Sequence, residues 1–227
     1  MDHETSLAGE AFQYSSVGAP GAPPLVLLHA LGEAASDWSA VAAALADRYR
    51  VVALTQRGHG GSPYSGGYST ARMSDDLLLF ADALGLDRFA LIGHSMGGVV
   101  ALRFAEVRSD RLTRLVVEDV PAPQVPRVYP AEERPDVDLP FDWEVVSALR
   151  AEMSAPDLSV FERLVDITVP TLVIGGGAVS HIPQEQLVAT AERIPNGRMI
   201  TIEGGGHLVH TEKPAEFLAA VSAFLAE

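Results

Sequence analysis

Residues 89–104, FALIGHSMGGVVALRF, constrain the fold of this chain more than any other stretch. Phe89 to Ile92 is a short apolar run of strand type, and it stops at Gly93-His94-Ser95-Met96-Gly97. An apolar helical pattern, Val99, Val100, Leu102 and Phe104, follows without a spacer. A strand that becomes a helix through Gly-x-Ser-x-Gly turns very tightly. The residues two before and two after the serine then lie against each other's backbone, where glycine alone fits. Such a turn lifts the Ser95 hydroxyl off the end of the sheet. It also sets Ser95 at a helix N-terminus, whose unpaired N–H groups and positive dipole end favour a developing oxyanion. The bare pattern is common and also describes a glycine-rich βα turn. The strand before it and the helix after it make Ser95 a candidate nucleophile.

The rest of the chain repeats this strand–helix alternation. Leu25 to His29 and Arg50 to Leu54 are uninterrupted apolar runs, as expected of strands buried on both faces of a parallel sheet. Residues 10–17 suit an edge strand, and GAPGAPP (18–24) breaks the pattern after it. Ser36 or Asp37 caps or begins a helix running to about Leu45. Ser69 or Thr70 caps another, in which Met73, Leu77, Phe80 and Leu84 share one face and Gly85 stands at the C′ position. Further strands are expected at Leu112 to Val117, Thr171 to Ile174 and Met199 to Ile202. Helices are expected from Pro183, with Leu187, Ala191 and Ile194 inward, and from Pro214, with Phe217, Val221, Phe224 and Leu225 inward. This pattern implies an α/β fold, a mostly parallel twisted sheet with helices on both faces.

The alternation is interrupted once. Residues 121–142 carry six prolines with acidic residues between them, and a shorter helical stretch follows from about Trp143 to Met153. About 45 residues rarely sustain a core of their own, so 121–165 is expected to be an insertion above the sheet of one domain spanning 1–227.

Composition excludes several function classes. The formal charge of −14, with Lys213 the only lysine, argues against nucleic-acid partners and anionic membrane surfaces. With no cysteine, disulfides, thiolate chemistry and zinc–sulfur sites are excluded. No apolar run approaches the roughly 18 residues of a membrane span, and MDHETSLAGE lacks the marks of a signal peptide, so the expected location is cytoplasmic. The loop Thr55 to Pro63 is glycine-rich but has neither the Lys-Ser/Thr of a P-loop nor the spacing of a dinucleotide fingerprint, so no nucleotide cofactor is expected.

Ser95 needs a base, and the chain has seven histidines. His3 belongs to a terminus expected to be mobile, and His29, His59 and His94 suit structural roles at strand ends or in loops. His207 follows a late strand and three glycines, the position of a base in a serine–histidine pair. His207 and His210 resemble a metal pair in spacing, but no HExxH or carboxylate cluster accompanies them, so no metal is expected.

Four stretches together resemble the α/β-hydrolase fold superfamily over nearly the whole length. They are His29-Ala30-Leu31-Gly32, Arg57-Gly58-His59-Gly60-Gly61-Ser62, Gly93-His94-Ser95-Met96-Gly97-Gly98, and Gly206-His207-Leu208-Val209-His210 with Pro214. The resemblance implies that Ser95 attacks a carbonyl, that His207 acts as base and then acid, and that a carboxylate orients the histidine. It also implies an oxyanion hole formed by the backbone N–H groups of Leu31 and Met96. Ala30 replaces the glycine usual in the first stretch. The family's usual acid position, in the loop 175–183, holds no carboxylate. Some relatives place the acid after the preceding strand, where this chain has Glu118 and Asp119. Successive strand residues point to opposite faces, so at most one of the two aims at His207. Asp119, one step further out, is the expected acid and Glu118 the reserve.

The expected activity is hydrolysis of an ester, thioester or lactone of a small apolar molecule, with no cofactor, a small-molecule substrate, and neither nucleic acid nor membrane as partner. Two other readings remain open here: a receptor-like binding protein with poor turnover, and C–C bond hydrolysis or perhydrolysis on the same residues. The oligomeric state is not legible.

Overall fold

The computed structural model describes residues 2–126, 128, 130 and 133–227. The four other positions within the Pro-rich stretch expected to form the insertion, 127, 129, 131 and 132, lie outside the described residues. Eight strands form one sheet: β1 (Asp2–Leu7), β2 (Glu10–Val17), β3 (Pro24–Leu28), β4 (Arg50–Leu54), β5 (Phe89–His94), β6 (Leu112–Glu118), β7 (Thr171–Gly175) and β8 (Gly197–Thr201). Their order is β1-β2-β4-β3-β5-β6-β7-β8. β1 pairs antiparallel with β2, and β2 antiparallel with β4; the pairs from β4 to β8 are all parallel.

The uninterrupted apolar runs follow from burial on both faces. In β3, Leu25 and Leu27 join one core and Val26 and Leu28 the other, as strand alternation requires. The first core is closed by α1 (Ser39–Leu45) and α8 (Pro214–Leu225), through Val41, Leu45, Phe217, Val221 and Phe224. On the opposite face lie α2 (Thr70–Ala83) and α3 (Met96–Arg108). Ser69 caps α2 by accepting the Arg72 N–H at 3.0 Å, and Gly85 follows its end with φ 65°. Between β6 and β7 come α4 (Glu144–Ser154) and the one-turn α5 (Ser159–Arg163). α6 (Gln184–Arg193) covers β7, and α7 (Val209–Glu212) is a single turn before α8.

Three sequence expectations need correction. Residues 10–17 form an interior strand, because β1 pairs outside it. His3 belongs to that edge strand, its ring stacked 5.1 Å from Tyr14, and is not in a loose terminus. Mostly polar and exposed, β1 has no buried face to produce an apolar alternation. Helical structure does begin there, as a 3-10 turn over residues 35–38 that runs into α1, but no side chain caps it, and Asp37 turns inward instead.

The Arg57 loop is held by its own ion pairs. The Arg57 guanidinium donates to both Asp76 oxygens of α2 at 2.7 Å and to Glu10 of β2 at 2.9 Å. The end of the Pro-rich stretch docks on that loop: Gly60 N–H donates to Pro140 O, Asp142 N–H to Gly58 O, and Tyr68 O–H to Asp142. Among the described residues, no helix is long and apolar enough to cross a membrane.

Candidate active site

Ser95 stands between β5 and α3 with φ 50° and ψ −116°, a conformation that non-glycine residues rarely adopt. The strain is imposed by close packing. A Cβ on Gly93 would meet Gly97 O at 2.3 Å, and one on Gly97 would meet Leu28 O at 2.4 Å. Ser95 N–H donates to Glu118 O at 3.1 Å, which ties the turn to the end of β6.

His207 comes from the loop after β8. Ser95 Oγ lies 2.9 Å from its Nε2, and its Nδ1 lies 2.9 Å from Asp119 Oδ2. An ionised carboxylate only accepts, so Nδ1 carries the proton and Nε2 is free to accept from the serine hydroxyl. Asp119 is fully buried, which pushes its pKa up. Hydrogen bonds from His207, the Ser180 hydroxyl and the Gly176 N–H outweigh burial and hold it below the usual carboxylate value. With φ 44°, Asp119 leaves the strand in the left-handed region, and this bend aims its carboxylate at the histidine.

The loop at the family's usual acid position therefore has a different task. Gly176 N–H donates to Asp119 Oδ1 at 3.0 Å, and its own carbonyl accepts the Gly206 N–H at 3.0 Å. A Cβ on Gly176 would lie 1.6 Å from Gly206 O. Glycine lets the Asp119 cradle and the His207 loop touch.

Leu31 and Met96 both line the cavity beside Ser95. Met96 opens α3, so its N–H has no intrahelical acceptor. The Leu31 loop is braced by two buried histidines. His29 donates from Nδ1 to Ala30 O at 2.7 Å and accepts the Gln56 N–H at Nε2. His59 donates from Nδ1 to Arg57 O and accepts the Gly32 N–H at 3.1 Å. Burial, and then the neighbouring His59, pushes the His29 pKa down to about 3, so it stays a neutral brace. Burial lowers that of His59 as well.

The cavity has a volume of about 540 Å³. Val99 of α3, Val120, Phe141, Trp143, Val146 and Leu149 contribute apolar wall, most of it from the segment between β6 and β7.

Behind the serine lies a second polar group that sequence reasoning left unassigned. His94, Glu118 and His210 are buried and bring one ligand-type atom each within 4.8 Å of one another. The expectation that no carboxylate cluster accompanies the His207 and His210 pair needs correction at His210, where Glu118 and Asp37 both come close. Glu118 does not reach His207; its two oxygens lie 2.9 Å from His210 Nδ1.

With this geometry in place, similarity to known proteins becomes informative. A family model described as alpha/beta hydrolase fold matches residues 23–145, more than half of the chain. This chain belongs to the α/β-hydrolase fold family. The relatives are enzymes, and so is this α/β hydrolase. It is 27% identical to the sn-1-specific diacylglycerol lipase ABHD11 of Mus musculus, over 90% of this chain and 81% of that protein. It is 30% identical to a putative carbamate hydrolase, RutD, of Stutzerimonas stutzeri, over 83% of this chain and 86% of that one. Among solved structures, the enol-lactonase of Burkholderia xenovorans superposes with a TM-score of 0.84 at 26% identity, covering 99% of this chain and all of that one. In this α/β hydrolase the strand–turn–helix pattern and the late glycine-flanked position single out Ser95 and His207 as candidates, and Asp119 follows from weighing strand-end alternatives; the structure brings the three side chains together. Nothing local in the sequence pointed to His94, His210 and Asp37 meeting behind the serine.

Proposed function

We infer that this α/β hydrolase is a serine hydrolase for esters, thioesters or lactones of small apolar molecules. One observation carries the reading: an unbroken line of 2.9 Å contacts from Ser95 Oγ through His207 to Asp119. Ser95 attacks the carbonyl while His207 takes its proton at Nε2. The imidazolium so formed is stabilised by buried Asp119, and the Leu31 and Met96 N–H groups receive the oxyanion. His207 then returns the proton to the leaving group. Water, activated by the same imidazole, releases the acyl group from Ser95. The names of the relatives, among them a lipase, a lactonase and a putative carbamate hydrolase, support acyl transfer to water as the common chemistry. The receptor-like alternative drew its support from the missing acid in 175–183, and the Asp119 carboxylate 2.9 Å from His207 Nδ1 favours the hydrolase reading over it.

The reading treats 1–227 as one domain with 121–165 as a cap whose apolar side chains form the acyl wall. Its test is a p-nitrophenyl ester series of rising acyl length, run on the wild type and on Ser95→Ala, with a fluorophosphonate probe beside it. Ser95→Ala should stay folded, lose labelling and lose kcat by on the order of 10⁴-fold or more. Labelling that persists in Ser95→Ala would remove the serine from its role. Replacing the exposed stretch 133–138 with a Gly-Ser linker should shift acyl-length preference while leaving Tm within a few degrees. A Tm collapse would show instead that this stretch is core.

A further inference from the structure

We propose that His210 is a positioning residue for His207, docking the 206–210 turn onto the end of β6 through Glu118 and Asp37. The proposal rests on the reading of Ser95 and His207 given above.

The residues that approach the substrate each have a neighbour in a second layer. His94 precedes Ser95, Glu118 precedes Asp119, and His210 is three residues beyond His207. Glu118 Oε1 accepts the backbone N–H of His210 at 2.8 Å, and both its oxygens face the ring Nδ1 at 2.9 Å. On the other side, His210 Nε2 lies 3.3 Å from Asp37 Oδ2, at ion-pair distance though not aligned for a hydrogen bond. Trp38 stacks on the ring at 4.3 Å and Phe217 meets it edge-on at 5.9 Å. From the front, His94 Nε2–H donates to the carbonyl of His207 at 2.7 Å. The turn is therefore gripped at two points by adjacent residues of one strand end, Asp119 on His207 and Glu118 on His210. A single grip leaves a turn free to pivot, and a second sets its orientation.

Charge explains why this grip is strong. Glu118 is fully buried and Asp37 largely so, and two carboxylates withdrawn from water need a cation between them. An imidazole protonated on both nitrogens supplies it. Burial would lower the His210 pKa, but Asp37 and Glu118 outweigh this and raise it to about 9. The groups that face it are Glu118 from β6, His94 from β5, and Asp37 with exposed Glu33 from the segment after β3. Burial first keeps His94 neutral, despite the nearby Glu118. A metal ion is the other way to fill such a cluster. However, His210 Nδ1 and Glu118 are already spent on each other, which leaves His94 Nδ1 and His210 Nε2 without a hydrogen bond, the latter facing Asp37 Oδ2 at 3.3 Å. A proton fits this arrangement where a metal would have to break it.

The experiment compares wild type with His210→Gln, Glu118→Gln and the double variant, using p-nitrophenyl acetate and the fluorophosphonate probe. His210→Gln should lower kcat roughly 10- to 100-fold with KM nearly unchanged, as for a base displaced by up to about one ångström. Probe labelling should slow by the same factor. The double variant should lose less than the product of the single losses. Wild-type kcat should fall again above about pH 9, and this alkaline limb should be absent in His210→Gln. If His210→Gln fails to fold, nitrogen NMR of the wild-type histidines decides: one ring protonated on both nitrogens near neutral pH and titrating at about 9 supports the proposal. A His210→Gln enzyme within about twofold of wild type, an unchanged alkaline limb, a neutral His210 ring, or one equivalent of divalent metal in the purified protein would each overturn it. A wild type that neither hydrolyses esters nor takes the probe would instead defeat the reading of Ser95, and the NMR measurement would still test His210.

Discussion

Two histidine–carboxylate pairs stand side by side in this molecule, and they behave oppositely. His207 with Asp119 opens on the cavity, and the His207 side chain is 25% exposed. His210 with Glu118 is sealed, with side chains 2% and 0% exposed. The two carboxylates are consecutive residues of one strand end, and the two rings come from one short segment. They differ in the number of anions each ring meets. His207 meets one carboxylate and a serine hydroxyl, so its outer nitrogen is placed to accept the hydroxyl hydrogen of Ser95. His210 lies between two carboxylates and carries its own proton. The same side chain becomes a base or a fixed cation according to its neighbours.

The largest expected effect separates the two carboxylates. Asp119→Asn should cost on the order of 10²–10⁴ in kcat, by placing the His207 proton on the wrong nitrogen. Glu118→Gln should cost about tenfold, because it loosens His210 without touching His207. Equal losses, measured on one ester, would break the contrast.

A second effect lies in stability. The folded pKa of His210 is raised to about 9 from an ordinary 6.5, so the folded state binds its proton more tightly than the unfolded chain. The stabilisation is complete below about pH 6.5 and is lost as pH rises through about 9. Tm, measured from about pH 7 to about pH 10, should therefore fall in the wild type and fall less in the Glu118→Gln/His210→Gln variant. Parallel curves would show that His210 carries no proton worth counting.

The smallest effect concerns the link between the pairs. His94→Ala removes one donor to the His207 carbonyl and should lower kcat by roughly threefold to tenfold, while His94→Gln, which keeps an N–H, should recover part of it. No difference between Ala and Gln would make the 2.7 Å contact incidental.

The alternation of apolar strands and helices was legible from residue order, and so were the serine turn and His207 after its glycines. Those features are local: a buried parallel strand must be apolar along its whole length, and a tight turn must lack side chains. The acid was legible only as a choice between neighbours, because the pleat says that Glu118 and Asp119 diverge but not which way each goes. In the structure Asp119, with φ 44°, is the one that meets His207, and Glu118 meets His210.

The second layer had no local mark of its pairing. Asp37 suited a helix cap by position, and His210 stood in a turn like many others. Glu118 and His210 are 92 residues apart, and they meet because β6 ends where the loop after β8 crosses back over the sheet. Hydrophobic burial is written in the spacing of residues close in sequence, so the order of amino acids determined the layers, the elbow and its serine. The pairing of buried charges depends on which strand ends are brought within a few ångströms of one another. Tertiary structure alone decided that one histidine would face a serine and one carboxylate, and its neighbour two carboxylates.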